Sequence, residues 1–459
     1  MISETLSNHT EATPQTNIKA SMVGEDRACH VDADANDVRD SITGMILLTG
    51  SYPPRGGSGV QRVYYQSEHL SKRGVTVHVL TEGDDSLWVR DDTMPPENVN
   101  KTQIQRISQY RLLGPSEVQR GLRRILRSVL YPDDYLFWAV AAYRRAAGII
   151  VRDDIGCVMA SLGRPSVLIT LLLLKRKFPS LSIVVDVRDL WVGNEIELAT
   201  RKTRWGLGWL NHWVERAVFC RAAAIVTVSK GLAEAIEERY RAFGIGTVHV
   251  VENGYVDDVF ASVGEAERDL DHIVFRHTGF LVKDQKVEQF MNAVSIVKSR
   301  DSKSLKDCRI EFIGGNPDLP RELAVQHGVE DIVTCSGYVS HQESVALMMA
   351  ADVLMLFWAP GIGTVGGKLY EYLRANQFIL AFEQGNRDGK EILARTGRGR
   401  AVPIGNVEKQ VEVLTELIEA RRNGEPLLPS PLPSIDEYSR PSQNDCLLEV
   451  LNAAVHQNA

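Results

Sequence analysis

The stretch Val353-Leu-Met-Leu-Phe-Trp-Ala-Pro-Gly-Ile-Gly-Thr-Val-Gly-Gly-Lys-Leu-Tyr-Glu-Tyr-Leu-Arg-Ala-Asn-Gln-Phe-Ile-Leu-Ala-Phe382 reads in succession as a strand, a glycine loop, a helix and a second strand. Its two ends, residues 353–357 and 378–382, are short and near-continuously apolar, as strands buried on both faces of a parallel sheet must be. Between them, residues 359–373 open with glycines and run into a helix-length segment that carries Lys368 and Glu371. Strand and helix alternate in this way in a doubly wound α/β sheet, which binds ligands outside the carboxyl ends of its strands.

The same rhythm extends outward. Residues 273–275, 310–313 and 332–334 predict further strands, and Ser340-His-Gln-Glu343 predicts a capped helix start. Towards the amino terminus, apolar runs at 45–49, 75–80, 157–160, 183–187, 224–228 and 248–251 alternate with helix-length segments at 59–73, 204–220 and 230–243. The turn-forming Glu252-Asn-Gly-Tyr255 and the residues up to Phe260 read as a linker between two halves. A chain of 459 residues exceeds the size at which one core usually stops growing. The expected organisation is a disordered polar tail over 1–41, a Rossmann-like domain over 42–256 and a second over 257–435.

Composition narrows the function. Hydrophobic residues at 44% and charged residues at 24% are ordinary for a soluble globular protein. A net charge of −7 lacks the basic surplus of a nucleic-acid binder. The six cysteines are scattered and form no Cys-x-x-Cys or Cys/His cluster, so neither a zinc site nor a disulfide framework is indicated, and the usage fits a reducing compartment. The start of the chain has no basic and apolar succession of a secretory signal, and Leu168-Ile-Thr-Leu-Leu-Leu-Leu174 is too short to span a bilayer. A cytoplasmic protein is expected. One segment, residues 106–143, breaks the rhythm. Within 120–130, Arg120, Arg123, Arg124 and Arg127 flank Leu122, Ile125, Leu126, Val129 and Leu130. At helical spacing that makes either a surface helix packed on the sheet or a peripheral contact with the inner face of a membrane.

Four loops carry residues that a simple connection does not need. The first, residues 50–59, follows the first strand; Gly57 and Gly59 let a ligand approach the backbone at a helix amino terminus. The second is Asp186-Val-Arg-Asp-Leu-Trp191, where Asp186 and Arg188 are candidate catalytic residues and an internal Asp–Arg pair is the alternative. The third holds Gly279 with Lys283 and Lys286, which either meet a pyrophosphate or are solvated. The fourth is the glycine loop quoted above. The amides of Gly366 and Gly367 and the positive helix end suit a diphosphate; Lys368 adds a charge, and Glu371 is placed to accept two ribose hydroxyls.

Taken in order, these loops resemble glycosyltransferases of family 4 with the GT-B fold, two facing Rossmann-like domains with a cleft between them. Tyr52-Pro-Pro with Gly56-Gly-Ser-Gly59, the Asp186 motif, Val226-Thr-Val-Ser229 and Asn253-Gly254 look like the amino-terminal half. Gly337-Tyr-Val-Ser-His-Gln-Glu-Ser344, Ala351-Asp-Val-Leu-Met-Leu356 and Lys368-Leu-Tyr-Glu-Tyr-Leu373 look like the carboxy-terminal half. The resemblance spans roughly residues 46–451. It implies a retaining transferase that takes a nucleotide-diphospho-sugar as donor substrate, without a permanently bound cofactor, and a carbohydrate or lipid-linked acceptor, in polysaccharide or glycoconjugate synthesis. It also implies that a final helix, 436–456, crosses back to complete the first domain. Two departures stand out: the family's paired glutamates reduce to Glu371 with Gly363 in the first position, so backbone amides at Gly363 are left to meet the sugar, and residues 167–174 lack a histidine found in many members. The absence of an Asp-x-Asp motif points to metal independence. The alternatives are a sugar-nucleotide epimerase and a non-catalytic nucleotide- or partner-binding protein of the same fold.

Overall fold

The computed structural model describes residues 42–83, 101–108, 133, 135–191, 208–264, 267–301, 305–361 and 365–457. The polar tail, the arginine-rich residues 120–130 and Gly363 therefore lie outside the described residues.

Seven parallel strands form the first sheet: β1 (Gly44–Thr49), β2 (Thr76–Glu82), β3 (Thr102–Ile107), β4 (Cys157–Leu162), β5 (Ser182–Val187), β6 (Ala224–Thr227) and β7 (Thr247–Val250). Their order across the sheet is β3-β2-β1-β4-β5-β6-β7. Six more, β8 (Ile273–Thr278), β9 (Cys308–Ile313), β10 (Val333–Ser336), β11 (Val353–Phe357), β12 (Phe378–Glu383) and β13 (Gly399–Pro403), form the second in the order β10-β9-β8-β11-β12-β13. Each order reverses beside its first strand, between β1 and β4 and between β8 and β11. These reversals open the crevices in which doubly wound sheets hold ligands.

Helices cover both faces. The first sheet carries α1 (Ser58–Lys72), α2 (Leu136–Asp153), α3 (Ser166–Lys177), α4 (Gly208–Phe219) and α5 (Lys230–Tyr240). After the short α6 (Asp257–Val263), the second carries α7 (Val287–Arg300), α8 (Asp318–Gln326), α9 (His341–Met349), α10 (Gly367–Ala375), α11 (Arg387–Thr396) and α12 (Val407–Arg422). The inner strands are apolar on both faces because helices cover both: Met45 and Leu47 face one core, Ile46 and Leu48 the other.

The last helix, α13 (Arg440–His456), packs on the first sheet rather than the second. Its Leu447, Val450, Leu451 and Ala454 are buried with Met45, Leu47, Val184 and Val226. Ser182 Oγ donates to the carbonyl of Ala454 at 2.9 Å, tying the helix to β5. The chain thus passes between the halves twice, and the two passages touch. Tyr255 N donates to Tyr438 O at 3.2 Å and Arg440 N to Tyr255 O at 2.8 Å. Gly254 fits the crossing because a Cβ there would lie 2.7 Å from Tyr438 O and 2.8 Å from Arg440 N, both immovable backbone atoms.

Two strands, β3 and β13, lie outside the apolar runs that mark the others in the sequence. Both are sheet edges, where only Thr102 of β3 and Val402 of β13 are buried. Among the described residues Cys157, Cys220, Cys308 and Cys335 are free thiols.

Candidate functional site

In the second half, the β8–β11 reversal brings three loops together. Gly366 caps α10 and Gly367 begins it; among the described residues no side chain caps the helix, and no acidic residue occupies its first turn. Its leading amides and positive dipole end are therefore open to an anion. Gly279, after β8, has φ 130°, a conformation that favours glycine, and a Cβ there would lie 3.5 Å from Lys368 Cε. The Tyr372 hydroxyl accepts from Thr278 N at 2.9 Å and so fixes α10 against the end of β8. Gly279, Gly366, Gly367, Lys368 and Glu371 are thus brought into one place.

The charges there are already engaged. Lys368 Nζ lies 3.2 Å from Glu371 Oε2, and His341 Nε2 lies 2.8 Å from Glu371 Oε1. Burial alone would raise the Glu371 carboxyl, but Lys368 and His341 outweigh it and hold the group below the usual carboxylate range. Burial also pulls on the Lys368 ammonium, and Glu371 more than offsets it, so its pKa is raised. Glu371 is buried, with one partner on each oxygen, so a ribose would meet a carboxylate already oriented by two neighbours rather than a free one. His341 was legible in the sequence only as part of a helix start.

A second histidine sits beneath this cluster. His277 is buried, with Nδ1 2.9 Å from Met355 O, and burial pushes its pKa down to about 4. A neutral ring donating from Nδ1 leaves Nε2 as a bare acceptor, and that atom is buried without a partner. Lys283 and Lys286 sit differently: both are exposed on the turn after β8, where Lys286 adopts φ 52° as the chain enters α7.

In the first half, Gly57 precedes α1, which also lacks a side-chain cap and an acidic first turn. Asp186 requires a correction. It is completely buried, and Arg62 grips it with Nε at 3.2 Å and Nη2 at 2.8 Å. Ser161 Oγ donates to it at 3.0 Å. Asp186 therefore faces the interior and holds Arg62, and does not line the cleft. Arg62 in turn donates to Val251 O at 3.0 Å and Glu252 O at 3.1 Å, anchoring the start of the linker. The internal Asp–Arg pair does exist, but its arginine is Arg62 rather than the neighbouring Arg188. Arg188 instead donates through Nη1 to Gly59 O at 2.9 Å. Trp191 packs partly buried against the first core.

The halves also meet away from the linker. Asp388 at the start of α11 accepts from Gly231 N at the start of α5 at 2.7 Å, flanked by Lys230–Glu391 at 3.2 Å and Arg387–Glu234 at 2.7 Å. A groove of about 1000 Å³ lined by Arg300, Phe378, Arg400 and Glu416 opens at the amino ends of the strands, opposite the crevice. Among the described residues no group of three His, Cys, Asp or Glu is arranged to hold a metal ion, and no helix is long and apolar enough to cross a membrane.

Residues 57–254 match the family model described as a glycosyl transferase 4-like domain, and residues 272–420 match glycosyl transferases group 1. Among solved structures, sucrose-phosphate synthase from Thermosynechococcus elongatus superposes with a TM-score of 0.56 at 15% identity, over 90% of this chain and 97% of that one. Trehalose 6-phosphate synthase from Burkholderia multivorans gives 0.62 at 8% identity, over 91% and 100%. The Anabaena protein HepE in complex with UDP-glucose gives 0.55 at 13% identity, over 90% and 97%. At these identities the likeness is one of fold. No curated protein matches the chain.

Proposed function

Since the chain belongs to the group 1 glycosyl transferases and is a glycosyltransferase of the GT-B fold, we propose that it transfers a sugar from a nucleotide-diphospho-sugar to an acceptor hydroxyl with retention at the anomeric carbon. The observation that carries the donor assignment is the uncapped start of α10, with Lys368 held by Glu371 against Gly279. The donor's diphosphate lies on the amides of Gly366 and Gly367 and on Lys368, while Glu371, oriented by His341, accepts from the ribose. Gly363 meets the sugar through its backbone, and Lys283 and Lys286 stand at the outer rim of the donor site.

The chemistry follows from that arrangement. The bond from the anomeric carbon to the phosphate oxygen breaks, leaving positive charge on the sugar ring and negative charge on the departing diphosphate. The acceptor oxygen bonds to the same face of that carbon, and its proton passes to the departing phosphate oxygen. Preorganised amides and the Lys368 ammonium stabilise the leaving charge, so neither a strong nucleophile nor a metal is needed. The acceptor, a carbohydrate or lipid-linked glycan destined for a polysaccharide or glycoconjugate, enters from the first half past Gly57 and Gly59. We place the reaction in the cytoplasm, with residues 120–130 as a peripheral contact on the inner membrane face.

A thermal-shift screen against UDP, GDP, ADP and dTDP sugars tests this reading, because a ligand bound only by the folded state raises its melting temperature. One nucleotide family should stabilise the protein, and Lys368→Ala should weaken that binding by about tenfold or more, the worth of one hydrogen bond to a charged group. A stabilising nucleotide whose affinity is untouched by Lys368→Ala would remove the diphosphate from α10. Sugar transfer that requires an added acceptor separates transferase from epimerase.

A further inference from the structure

Arg188 is a half-buried cation that forms no ion pair with a described carboxylate. Its only hydrogen bond among the described residues is to Gly59 O, no carboxylate lies within 4 Å, and its Nε is buried without a partner. The guanidinium is wedged between two glycines: a Cβ on Gly59 would lie 2.4 Å from Nη1, and one on Gly163 would lie 3.0 Å from Nη2. Its nearest acidic neighbours are spent or exposed. Asp186 is consumed by Arg62 and Ser161, and Asp189 lies in solvent. Asp186 and Asp189 attract the guanidinium without bonding to it, and Arg62 and the open amino terminus of α1 oppose it. Burial accordingly lowers the Arg188 pKa.

The adjacent helix shows what a satisfied start looks like. Ser166 N, at the first turn of α3, donates to Asp133 Oδ2 at 3.0 Å. Among the described residues no carboxylate does this for α1. Two more guanidiniums border the same strand ends, Arg55 on Glu82 at 3.1 Å and Arg164 over the Tyr135 ring at 4.5 Å. A half-buried planar fork beside helix amides that no described side chain caps is matched by a tetrahedral dianion, which accepts from both at once.

We propose that the acceptor carries a phosphate, and that Arg188 with the first turn of α1 receives it. The inference rests on the first half being the acceptor side. It differs from the donor reading in place, since Arg188 belongs to the β1–β4 crevice and Lys368 to the β8–β11 crevice.

The test is a titration with inorganic phosphate at fixed ionic strength, by calorimetry, of the full-length protein saturated with UDP, GDP, ADP or dTDP, whichever binds. Wild type, Arg188→Gln, Arg188→Lys and Lys368→Ala are compared. Phosphate should bind the nucleotide-saturated wild type, weaken about tenfold or more in Arg188→Gln, and be unchanged in Lys368→Ala. Equal phosphate affinity in wild type and Arg188→Gln overturns the proposal. So does loss of nucleotide affinity in Arg188→Gln together with no phosphate binding to the saturated wild type, which would make the anion at Arg188 the donor's own diphosphate. If none of the four nucleotides binds, the donor reading fails, and the same comparison on nucleotide-free protein still decides the anion site. Should Arg188→Gln not fold, Arg188→Lys decides: loss of the fork should still weaken phosphate severalfold, and unchanged affinity refutes the site.

Discussion

Replacing Arg62 with methionine should destabilise the protein far more than a typical substitution. Arg62 is 2% exposed and Asp186 fully buried, so the change leaves a carboxylate in the interior with only Ser161 as donor. It also strips a donor from the carbonyls of Val251 and Glu252. Breaking a buried pair by removing one partner costs about 3–5 kcal/mol. For a half of about 200 residues, at about 2–4 °C per kcal/mol, that is a fall in melting temperature of roughly 6–20 °C. The second arm is the double variant Arg62→Met with Asp186→Leu. Replacing both charges by apolar groups of similar volume is often neutral or stabilising, so most of the loss should return. Thermal and urea unfolding of the wild type, the single variant and the double variant decide the matter. A single variant within about 1 kcal/mol of wild type would refute the buried-pair argument, because only solvent-screened pairs are worth so little. A double variant as unstable as the single would show that the linker carbonyls, not Asp186, carry the loss.

Glu371 should make stability acid-sensitive. Its pKa is held below the unfolded value, so its contribution is present above about pH 4.3, the ordinary glutamate value, and is lost as pH falls through the lower folded value; melting curves from pH 6 to pH 2 should fall more steeply for wild type than for Glu371→Gln, and parallel curves would contradict this. Gly254→Ala should cost about 1–3 kcal/mol, because its methyl meets backbone atoms that cannot step aside. A melting temperature equal to that of wild type would mean that the crossing loosens freely. Sugar transfer should continue unchanged in excess EDTA, and activity restored only by added divalent ions would place a metal in the mechanism.

The most legible part of the fold was the part buried on both faces, although the edge strands β7 and β10 also carry short apolar runs. Val353–Phe357 and Phe378–Glu383 announce themselves because nothing polar can occupy either side. At a sheet edge that constraint lapses, and Thr102-Gln-Ile-Gln-Arg-Ile107 and Gly399-Arg-Ala-Val-Pro403 carry polar or turn-forming residues that hide them. The glycine loop and Lys368 were legible because a helix start is a local event. Partnerships were not. Arg62 and Asp186 are 124 residues apart and His341 and Glu371 are 30 apart, and only the topology brings each pair to one strand end. A strand-end carboxylate in the sequence is the same whether it faces a ligand or an arginine.

The return of α13 to the first sheet sets an order on synthesis. Met45, Leu47, Val184 and Val226 belong to the first half, yet one face of their core stays uncovered until Leu447, Val450, Leu451 and Ala454 leave the ribosome. Between the end of β7 and the start of α13 lie about 190 residues, which at about 5–20 residues per second is a wait of roughly 10–40 s. During that interval the nascent first half presents an apolar surface, and the second half can complete its own sheet before the first is closed. Chaperone engagement should therefore concentrate on ribosome-bound chains that end before residue 440 and fall once α13 has emerged.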